Sequence, residues 1–595
     1  MKDICETGIR NKENVFLTFL SKLTYPFCYE LPYICLFVIL MAGHRFFIEN
    51  LRNYSDTALL FLFAYIGAAI ISSIKSSRGR IAVKTVFYIF PLIFKVISVF
   101  LFSNFYMQIN ATCITLLAET TDSESTEFIN QYILSSAIIP TLQNLALNIL
   151  AIIIFEALWY YVKKRLKVVP RFCMIASLFA VVPGLLIGIY RTRAYYDIYN
   201  VESAEEVEFS SPRDPVSSIY TSFITIKKMG EGLQKYVQKN KQSYNDEAFT
   251  TAEQPINIVV VIGESYIKHH SWLYGYPLET TPHLKAEQEA GRLFLFNDVI
   301  SSVNTTSLAM KNILCCNNSS DRELWCNYPN FLSIFKKAGY NVYYWDNQLD
   351  SDKGTTYTFT LNSFLFHPEL CEKTYTRING GSHRYDKELI DSFNAEVELS
   401  VDDYNLIVFH LMGQHHDAFM RFPEDGFSLF TADSIKRDEP YLDEDKKAYI
   451  ASYDNATLYN DYVLKEIIDT FKESNTVLIY FSDHGEEVYS YRKRYGRDHG
   501  PMTAEKLKYQ YEVPFMVWCS DEYILKNPTT VEAIKGAVER PFLTDNLCNM
   551  LFNLGSINTI YYRDSLDLIS PNYKSKQRLI ENNCIYEQVR YSKNN

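Results

Sequence analysis

Residues 476–487 read TVLIYFSDHGEE, a run of apolar residues that ends directly in an acid and a histidine. A short apolar run bounded by polar residues is typical of a strand that is covered on both faces of a parallel sheet. Comparable runs lie at Asn257–Ile262, Asn341–Trp345, Asn405–His410 and Val513–Trp518, and helix-like segments of mixed polarity separate them. We therefore predict an α/β sandwich for this half of the chain.

The residues just beyond these strands carry the chemistry, because ligands of parallel sheets bind at the carboxyl ends of the strands. Glu264 follows the first apolar run, and Asp483 and His484 follow the run quoted above. Two carboxylates and an imidazole are suitable donors for zinc with one coordination position left open. Each residue alone is more often a solvated loop residue or a helix cap, but their joint occurrence predicts a metal site.

A nucleophile is expected near this metal, since a hydroxyl needs a metal or an adjacent base before it attacks at neutral pH. Residues 301–307 read SSVNTTS and precede a predicted helix. A run of Ser and Thr before a helix is most often an ordinary N-cap. The spacing alone does not choose among these hydroxyls.

Taken together, these motifs resemble the phosphoethanolamine transferases of bacterial envelopes, which belong to the sulfatase-like branch of the alkaline phosphatase superfamily. The resemblance covers nearly the whole chain and is carried by residues 263–265 (GES), 274–277 (YGYP), 279–282 (ETTP), the region of Thr306, and residues 482–487 (SDHGEE). The two glutamates after the Asp-His-Gly sequence look closer to the core-heptose-modifying members than to the lipid A members that confer colistin resistance. The cysteine-bearing flanks seen around the nucleophile of the lipid A enzymes are absent here.

The resemblance implies roles for individual residues. It makes Thr306 the nucleophile that becomes phosphoethanolaminated, with Thr305 as the next choice. It implies one zinc ion, with a second left open, and it implies as zinc ligands Glu264, Thr306, Asp483 and His484. By the same resemblance the transferred phosphate, or a second zinc, contacts His415 and His499, a substrate phosphate is bound by Lys353, and the ethanolamine amine of the donor is held by Glu119.

The first 190 residues predict a membrane domain. Five apolar segments are each long enough for a helix to cross a bilayer core of roughly 30 Å. They run approximately over Leu31–Glu49, Thr57–Ile74, Thr85–Tyr106, Thr141–Val162 and Phe172–Tyr190. Lys and Arg concentrate in residues 75–84 and 163–171, which follow the second and fourth apolar segments, and are absent from residues 107–140. The loops at 75–84 and 163–171 are therefore predicted to be cytoplasmic. Five crossings then place everything after Tyr190 outside the cytoplasm.

We accordingly predict three parts: a transmembrane domain of five helices over 1–190, a periplasmic connector with an amphipathic helix over 191–254, and a catalytic sulfatase-like domain over 255–595. The expected location is the bacterial inner membrane, with several crossings and the catalytic domain in the periplasm.

Two features of single side chains are left open by the sequence. Lys95 lies near the middle of the third apolar segment, where a charge normally has a partner or a wet cavity. An ion pair with Glu156 and a role near a lipid headgroup are the two interpretations. In an oxidising compartment Cys326 is expected to close a loop with Cys315 or Cys316, with buried free thiols as the alternative.

The predicted activity is the transfer of phosphoethanolamine from phosphatidylethanolamine to lipopolysaccharide, in its core or lipid A, or to another envelope glycan, through a phospho-threonine intermediate. A monomer is expected, with membrane lipids as its surroundings. The formal net charge of −11 argues against a nucleic-acid partner. One alternative is a glycerophosphotransferase that uses phosphatidylglycerol, and a remote one is an inactive sensor or scaffold of the same fold. A sulfatase is disfavoured because no Cys or Ser stands in a Cys/Ser-x-Pro-x-Arg sequence.

Overall fold

The computed structural model describes residues 18–591 apart from 20, 42–51, 106, 108, 110–112, 114–124, 127, 167–170, 194–195, 197–198, 200–214, 319, 321, 350–360 and 498–499. The chain divides into two compact units, Met1–Met229 and Gly230–Asn595.

The N-terminal unit is helical. Its long helices are Leu31–Met41, Arg52–Ser73, Ser77–Phe105, Ile139–Leu166 and Arg171–Arg191. Within the part of the chain that the structure describes, two helices are long and apolar enough to cross a membrane, Ser77–Phe105 and Ser136–Arg165. A third span results if Ser21–Tyr29 and Leu31–Met41, which meet at a 67° bend, count as one. A helical apolar region is therefore confirmed, while the number of five crossings remains a prediction.

Glu156 does not pair with Lys95, which corrects one of the two interpretations of that lysine. Its carboxylate instead accepts hydrogen bonds from Lys84 Nζ (2.7 Å) and from the hydroxyl of Tyr88 (2.7 Å). Lys84 Nζ also lies 2.6 Å from Oε2 of Glu30, a buried side chain at the bend. Lys84 reaches both carboxylates because it lies near the start of its helix, whereas Lys95 follows three helical turns later.

The C-terminal unit is an α/β sandwich. Its strands are β1 Ala248–Thr250, β2 Asn257–Gly263, β3 Leu293–Leu295, β4 Val299–Ile300, β5 Asn341–Asp346, β6 Arg377–Ile378, β7 Asn405–His410, β8 Thr476–Ser482, β9 Phe515–Cys519, β10 Phe542–Leu543, β11 Ile557–Thr559, β12 Leu579–Ile580 and β13 Cys584–Ile585. Seven of them form one sheet in the order β3-β9-β8-β2-β7-β5-β6. The five strands predicted from the apolar runs are all present in it.

Helices cover both faces of this sheet. They are the part of Pro215–Ser243 after Met229, Pro282–Glu289, Thr306–Leu314, Phe331–Lys337, Leu361–Leu365, Pro368–Thr374, Asp386–Glu396, Glu444–Phe471, Asp521–Lys526, Pro528–Ala537 and Leu547–Leu554. Two more helices, Ala504–Gln510 and Tyr586–Arg590, pack in a smaller apolar cluster. Alternate residues of β2 enter two separate apolar cores, with Val260 in one and Val259 and Val261 in the other. Burial on both faces explains why the strands are continuous apolar runs rather than alternating ones.

The sheet is parallel from β8 through β2, β7 and β5 to β6, but β9 pairs with β8 in the antiparallel direction. The parallel prediction is therefore wrong for Phe515–Cys519. The chain between β8 and β9 stays at the carboxyl edge of the sheet, where the N–H of Gly485 donates to the carbonyl of Gln510 at 3.0 Å. Strand β9 consequently starts from the edge at which β8 ends.

None of the ten cysteines that the structure describes forms a disulfide, so the bridge predicted from Cys326 to Cys315 or Cys316 is not formed. All three side chains are buried in the same apolar core. They pack there as small apolar groups, and burial raises the pKa of the Cys315 and Cys316 thiols well above the ordinary value.

Candidate metal centre

Two neighbouring strands deliver three side chains to one point. Gly263 at the end of β2 pairs in register with Ser482 at the end of β8, so Glu264 and the pair Asp483 and His484 leave the sheet side by side. All three side chains are completely buried. One donor atom from each lies within 4.8 Å of the donor atoms of the other two.

Thr306, the first residue of its helix, completes this group. Its Oγ1 lies 3.1 Å from Oε2 of Glu264 and 3.2 Å from Nε2 of His484. The structure thus brings together four residues that lie up to 220 positions apart in the sequence. Thr305 precedes the helix as its N-cap residue, and its side chain makes no capping hydrogen bond.

The separations within this group fit a tetrahedral metal site. Zinc binds oxygen and nitrogen ligands at about 2.0–2.1 Å, which places tetrahedral ligands about 3.3 Å apart. His484 Nε2 lies 3.0 Å from Asp483 Oδ2 and 3.4 Å from Glu264 Oε1. With the two contacts of Thr306, four distances between candidate donor atoms fall between 3.0 and 3.4 Å, and they involve both carboxylate oxygens of Glu264.

The tautomer of His484 aims a lone pair at the same point. Its Nδ1 lies 2.9 Å from the backbone carbonyl of Gly485 and donates its proton there, so Nε2 carries no proton. Burial, and then the nearby charge of Arg497, lower the pKa of His484 to about 3. A neutral imidazole is the form that binds a metal.

Asp483 supplies a second sign that the site is built for a cation. Oδ2 of Asp483 is buried without a hydrogen-bond partner, although it lies 3.0 Å from the unprotonated Nε2 of His484. Two acceptor atoms at this separation repel each other unless a proton or a cation lies between them. Burial and the carboxylate of Glu264 raise the pKa of Asp483 well above its ordinary value, which shows how strongly the site disfavours uncompensated negative charge.

Glu264 is the ionised member of the carboxylate pair. Burial alone would raise the pKa of Glu264, but electrostatic interactions with His484, His415 and Arg497 lower it below the ordinary value. Oε1 of Glu264 also accepts a hydrogen bond from the hydroxyl of Ser265 at 2.7 Å. The donors present, two carboxylates, an imidazole and a hydroxyl, therefore fit zinc.

The backbone around Glu264 is held in place by two unusual conformations. Ser265 has a φ of 58°, in the left-handed region, and its N–H donates to Oδ1 of Asp483 at 3.2 Å. Gly413 has a φ of 50°, and a Cβ at that position would lie 2.9 Å from both the N and the O of Glu264. Strained backbone of this kind concentrates at functional sites.

Several neighbours of the site were not identified from the sequence. Gln348 Nε2 donates to Oε2 of Glu264 at 3.3 Å and to the carbonyl of Leu411 at 2.9 Å. Its own N–H donates to Asp346 Oδ1, which lies 3.0 Å from His410 Nδ1. Asp346 and His410 end β5 and β7, so the rule that led to Glu264 could have found them.

Arg497 is the other neighbour that sequence reasoning missed. Its Nη1 lies 2.5 Å from Nε2 of His484 and donates to the carbonyl of Asn304 at 3.0 Å. A guanidinium thus occupies the direction of the lone pair that a metal would take. The position has no sequence signal, because residues 488–497 form a loop rather than the end of a strand.

Of the remaining predicted site residues, the structure describes only His415. His415 is half-buried two residues after Gly413, and its charge contributes to the lowered pKa of both Glu264 and His484. Glu119, Lys353 and His499 lie outside the described residues. Their roles stay predictions.

Comparison with known proteins finds one matching family and several similar proteins. Residues 256–534 match the family Sulfatase. The phosphoethanolamine transferase EptC of Escherichia coli K12 is 26% identical over 491 residues, which cover 80% of each protein. Phosphoethanolamine transferase EptA of Helicobacter pylori is 28% identical over 324 residues, which cover 52% of this chain and 56% of that protein.

Solved structures agree with this kinship. The C-terminal periplasmic domain of EptC from Escherichia coli aligns with a TM-score of 0.50 at 27% identity, covering 59% of this chain and 94% of that domain. The integral membrane protein lipooligosaccharide phosphoethanolamine transferase A from Neisseria meningitidis aligns with a TM-score of 0.53 at 17% identity, covering 92% and 97%, and shows a shared fold. The chain is thus similar to phosphoethanolamine transferases, as its motifs predicted. The match to EptC covers more of the chain than the match to EptA of Helicobacter pylori does.

Proposed function

We propose that this chain transfers phosphoethanolamine from phosphatidylethanolamine to lipopolysaccharide, in its core or lipid A, or to another envelope glycan. The position of the Thr306 hydroxyl supports this function most directly, because it lies within 3.2 Å of both Glu264 and His484 in a domain shared with phosphoethanolamine transferases. We place the protein in the inner membrane with its catalytic unit in the periplasm. The apolar helices of the N-terminal unit would then keep the site at the surface where donor lipids lie.

Glu264, Asp483 and His484 would hold one zinc ion, with Thr306 as the fourth ligand. When bound, zinc lowers the pKa of a coordinated hydroxyl and neutralises charge on a transferring phosphoryl group. The burial of all three protein ligands keeps water from competing for the site.

In the first step Oγ of Thr306 attacks the phosphorus of phosphatidylethanolamine. The bond between phosphorus and the glycerol oxygen breaks, and diacylglycerol leaves with a proton donated by His499 or His415. Glu264, whose Oε2 accepts the hydrogen bond of the Thr306 hydroxyl, takes the hydroxyl proton as Oγ attacks.

In the second step an oxygen of the acceptor attacks the phosphorus of phospho-Thr306. The bond between phosphorus and Thr306 Oγ breaks, and Oγ takes back the proton that Glu264 accepted in the first step. The acceptor proton passes to the histidine that was deprotonated in the first step, so the protein is unchanged after one cycle. Lys353 would bind the phosphate of the substrate, and Glu119 would pair with the ammonium of the donor headgroup.

Intact-mass spectrometry of the full chain in phosphatidylethanolamine nanodiscs tests this function. Wild-type protein should gain one phosphoethanolamine group on Thr306 without any acceptor, and Thr306→Ala should gain none while melting at the wild-type temperature. Thr305→Ala is the matched control and should still be modified. A glycerophosphate adduct in phosphatidylglycerol nanodiscs but none with phosphatidylethanolamine would identify a glycerophosphotransferase instead.

A further inference from the structure

The loop that follows Asp483 and His484 forms a hydrogen-bonded hairpin. Val488 and Tyr495 form an antiparallel bridge, and the N–H of Gly496 donates to the carbonyl of Glu487 at 2.7 Å. We call residues 488–497 the basic hairpin. Gly496 has a φ of 89°, a conformation that favours glycine and lets the chain turn back toward the metal ligands.

Buried groups fix the shape of the basic hairpin from below. Oε1 of Glu487 accepts the N–H of Ser490 at 2.7 Å and that of Tyr491 at 3.3 Å. Arg437 Nη2 donates to the carbonyls of Tyr489 and Ser490 at 2.9 and 3.1 Å. Tyr489 itself has a φ of 58°, which costs about 1 kcal/mol or more for a residue with a Cβ. A strained turn held by a buried carboxylate and an arginine is pre-organised for binding.

The basic hairpin adjoins the reacting groups at two points. Arg497, its last residue, contacts Nε2 of His484. The ring of Tyr495 stacks on His416 at a centroid distance of 5.3 Å and an angle of 7°, and its hydroxyl lies 3.2 Å from Nε2 of that histidine. His416 directly follows His415, so a molecule lying along the hairpin would reach the site.

Aromatic faces line this path. Tyr449 lies 4.6 Å from Tyr495 and 5.9 Å from Tyr489 between ring centroids, and Phe419 packs against Tyr449 at 5.8 Å. None of these four rings is fully buried, and Phe419 is 52% exposed. Half-exposed aromatic rings present flat apolar faces with a polar rim, a surface suited to the apolar face of a sugar ring.

The charge of the basic hairpin is opposite to that of the chain. Its ten residues include four cations, Arg492, Lys493, Arg494 and Arg497, and no acid, whereas the whole chain carries a net charge of −11. Lys493 is exposed at the tip. A local cluster of cations on an acidic protein attracts anions selectively.

We propose that the basic hairpin, with the faces of Phe419 and Tyr449, binds the acceptor of the transfer reaction, and that this acceptor is a phosphate-bearing saccharide. Cations would bind the saccharide phosphates, and the rings would stack on its sugars. Because an acceptor has a role only if the proposed transfer takes place, this assignment rests on the proposed function.

The same cations could in principle serve the phosphate of the donor lipid. The donor headgroup has one phosphate and a short ethanolamine. It would therefore contact neither the aromatic rings nor more than one of the cations. A phosphorylated saccharide uses both at once, and this match of rings with cations favours the acceptor.

Binding by the full chain with Thr306→Ala, which cannot react, tests the assignment. The probes are a phosphorylated oligosaccharide released from lipopolysaccharide core and the same oligosaccharide after removal of its phosphates. Lys493→Gln with Arg494→Gln should raise the Kd for the phosphorylated probe about tenfold and that for the dephosphorylated probe less than about twofold. Phe419→Ala should raise both values by about threefold to tenfold, because stacking does not depend on phosphate.

Matched controls remove equal charge and a similar ring elsewhere. Lys526→Gln with Lys535→Gln, and Phe249→Ala, should leave both Kd values unchanged, and melting temperatures show that each variant is folded. Equal loss of affinity for both probes in the charge variant, or no loss in any variant, would overturn the proposal. The proposal would also be overturned if the charge variant bound both probes as tightly as before in the Thr306→Ala chain but, with Thr306 retained, formed the Thr306 adduct more slowly from lipid alone, since the hairpin would then serve the donor. Failure of wild-type protein to form that adduct would instead refute the proposed function.

Discussion

Replacing Gly413 with alanine should lower the free energy of unfolding of the catalytic unit and weaken zinc binding through Glu264. The new Cβ would lie 2.9 Å from both the N and the O of Glu264, closer than such contacts occur, and both are backbone atoms that cannot rotate away. Relieving this overlap costs about 1–3 kcal/mol. The φ of 50° adds roughly 1–2 kcal/mol for any residue with a Cβ. We expect a loss of about 2–5 kcal/mol in the free energy of unfolding.

Two other glycines separate the two contributions. Gly275 has a φ of 93° with no atom near its Cβ position, so Gly275→Ala should cost only about 1–2 kcal/mol. Gly536 lies open in the helix Pro528–Ala537, and Gly536→Ala should stabilise by roughly 0.5–1 kcal/mol.

Denaturant unfolding of the full chain in detergent, followed by zinc titration, measures both effects. Because the displaced atoms belong to Glu264, we also expect zinc affinity to fall by about tenfold to a hundredfold in Gly413→Ala. A cost no greater than that of Gly275→Ala, together with unchanged zinc affinity, would refute the close approach of Gly413 to the metal site.

Three further predictions concern charge. Burial alone would raise the pKa of Glu512, but hydrogen bonds from His269 and Arg590 lower it from 4.5 to about 2. The stability that this contributes is present above pH 4.5 and should be lost as the pH falls toward 2. The free energy of unfolding of Glu512→Gln, measured against pH, should lack this dependence. Burial raises the pKa of Asp461 from 3.8 to about 7, so stability should instead fall as pH rises from about 4 to 7, and Asp461→Asn should flatten this dependence; an unaltered pH profile would contradict it. In the N-terminal unit, Lys84→Met leaves two carboxylates without their shared cation and should cost about 3–5 kcal/mol, which melting in detergent would register and neutralisation of both carboxylates should restore.

The strands could be predicted because burial on both faces imposes continuous apolar runs, and this constraint is local in the sequence. The same locality placed Glu264, Asp483 and His484 just beyond strand ends. The direction of β9 could not be predicted in this way, since Phe515–Cys519 has the same composition whichever way it runs. The direction of β9 depends on the edge of the sheet at which the 32 residues between β8 and β9 end, and the composition of β9 does not encode that.

The support of the site was equally hidden. Gly413 and Arg497 act through contacts with residues far along the chain, and neither lies in a periodic pattern. The hydroxyl of Thr306 could not be distinguished from its neighbours by spacing. Resemblance to a family selected it, and the structure brings that hydroxyl next to Glu264 and His484.

Zinc binding by the purified full chain tests the metal centre most directly. Metal analysis with competitive titration should find one zinc per wild-type chain, and Glu264→Gln, Asp483→Asn and His484→Gln should each weaken binding more than about a hundredfold. His269→Gln, which alters a histidine paired with Glu512 outside the site, should bind as wild type does. Wild-type protein without zinc affinity, or variants of Asp483 and His484 that bind as tightly as wild type, would contradict a metal held at the ends of β2 and β8.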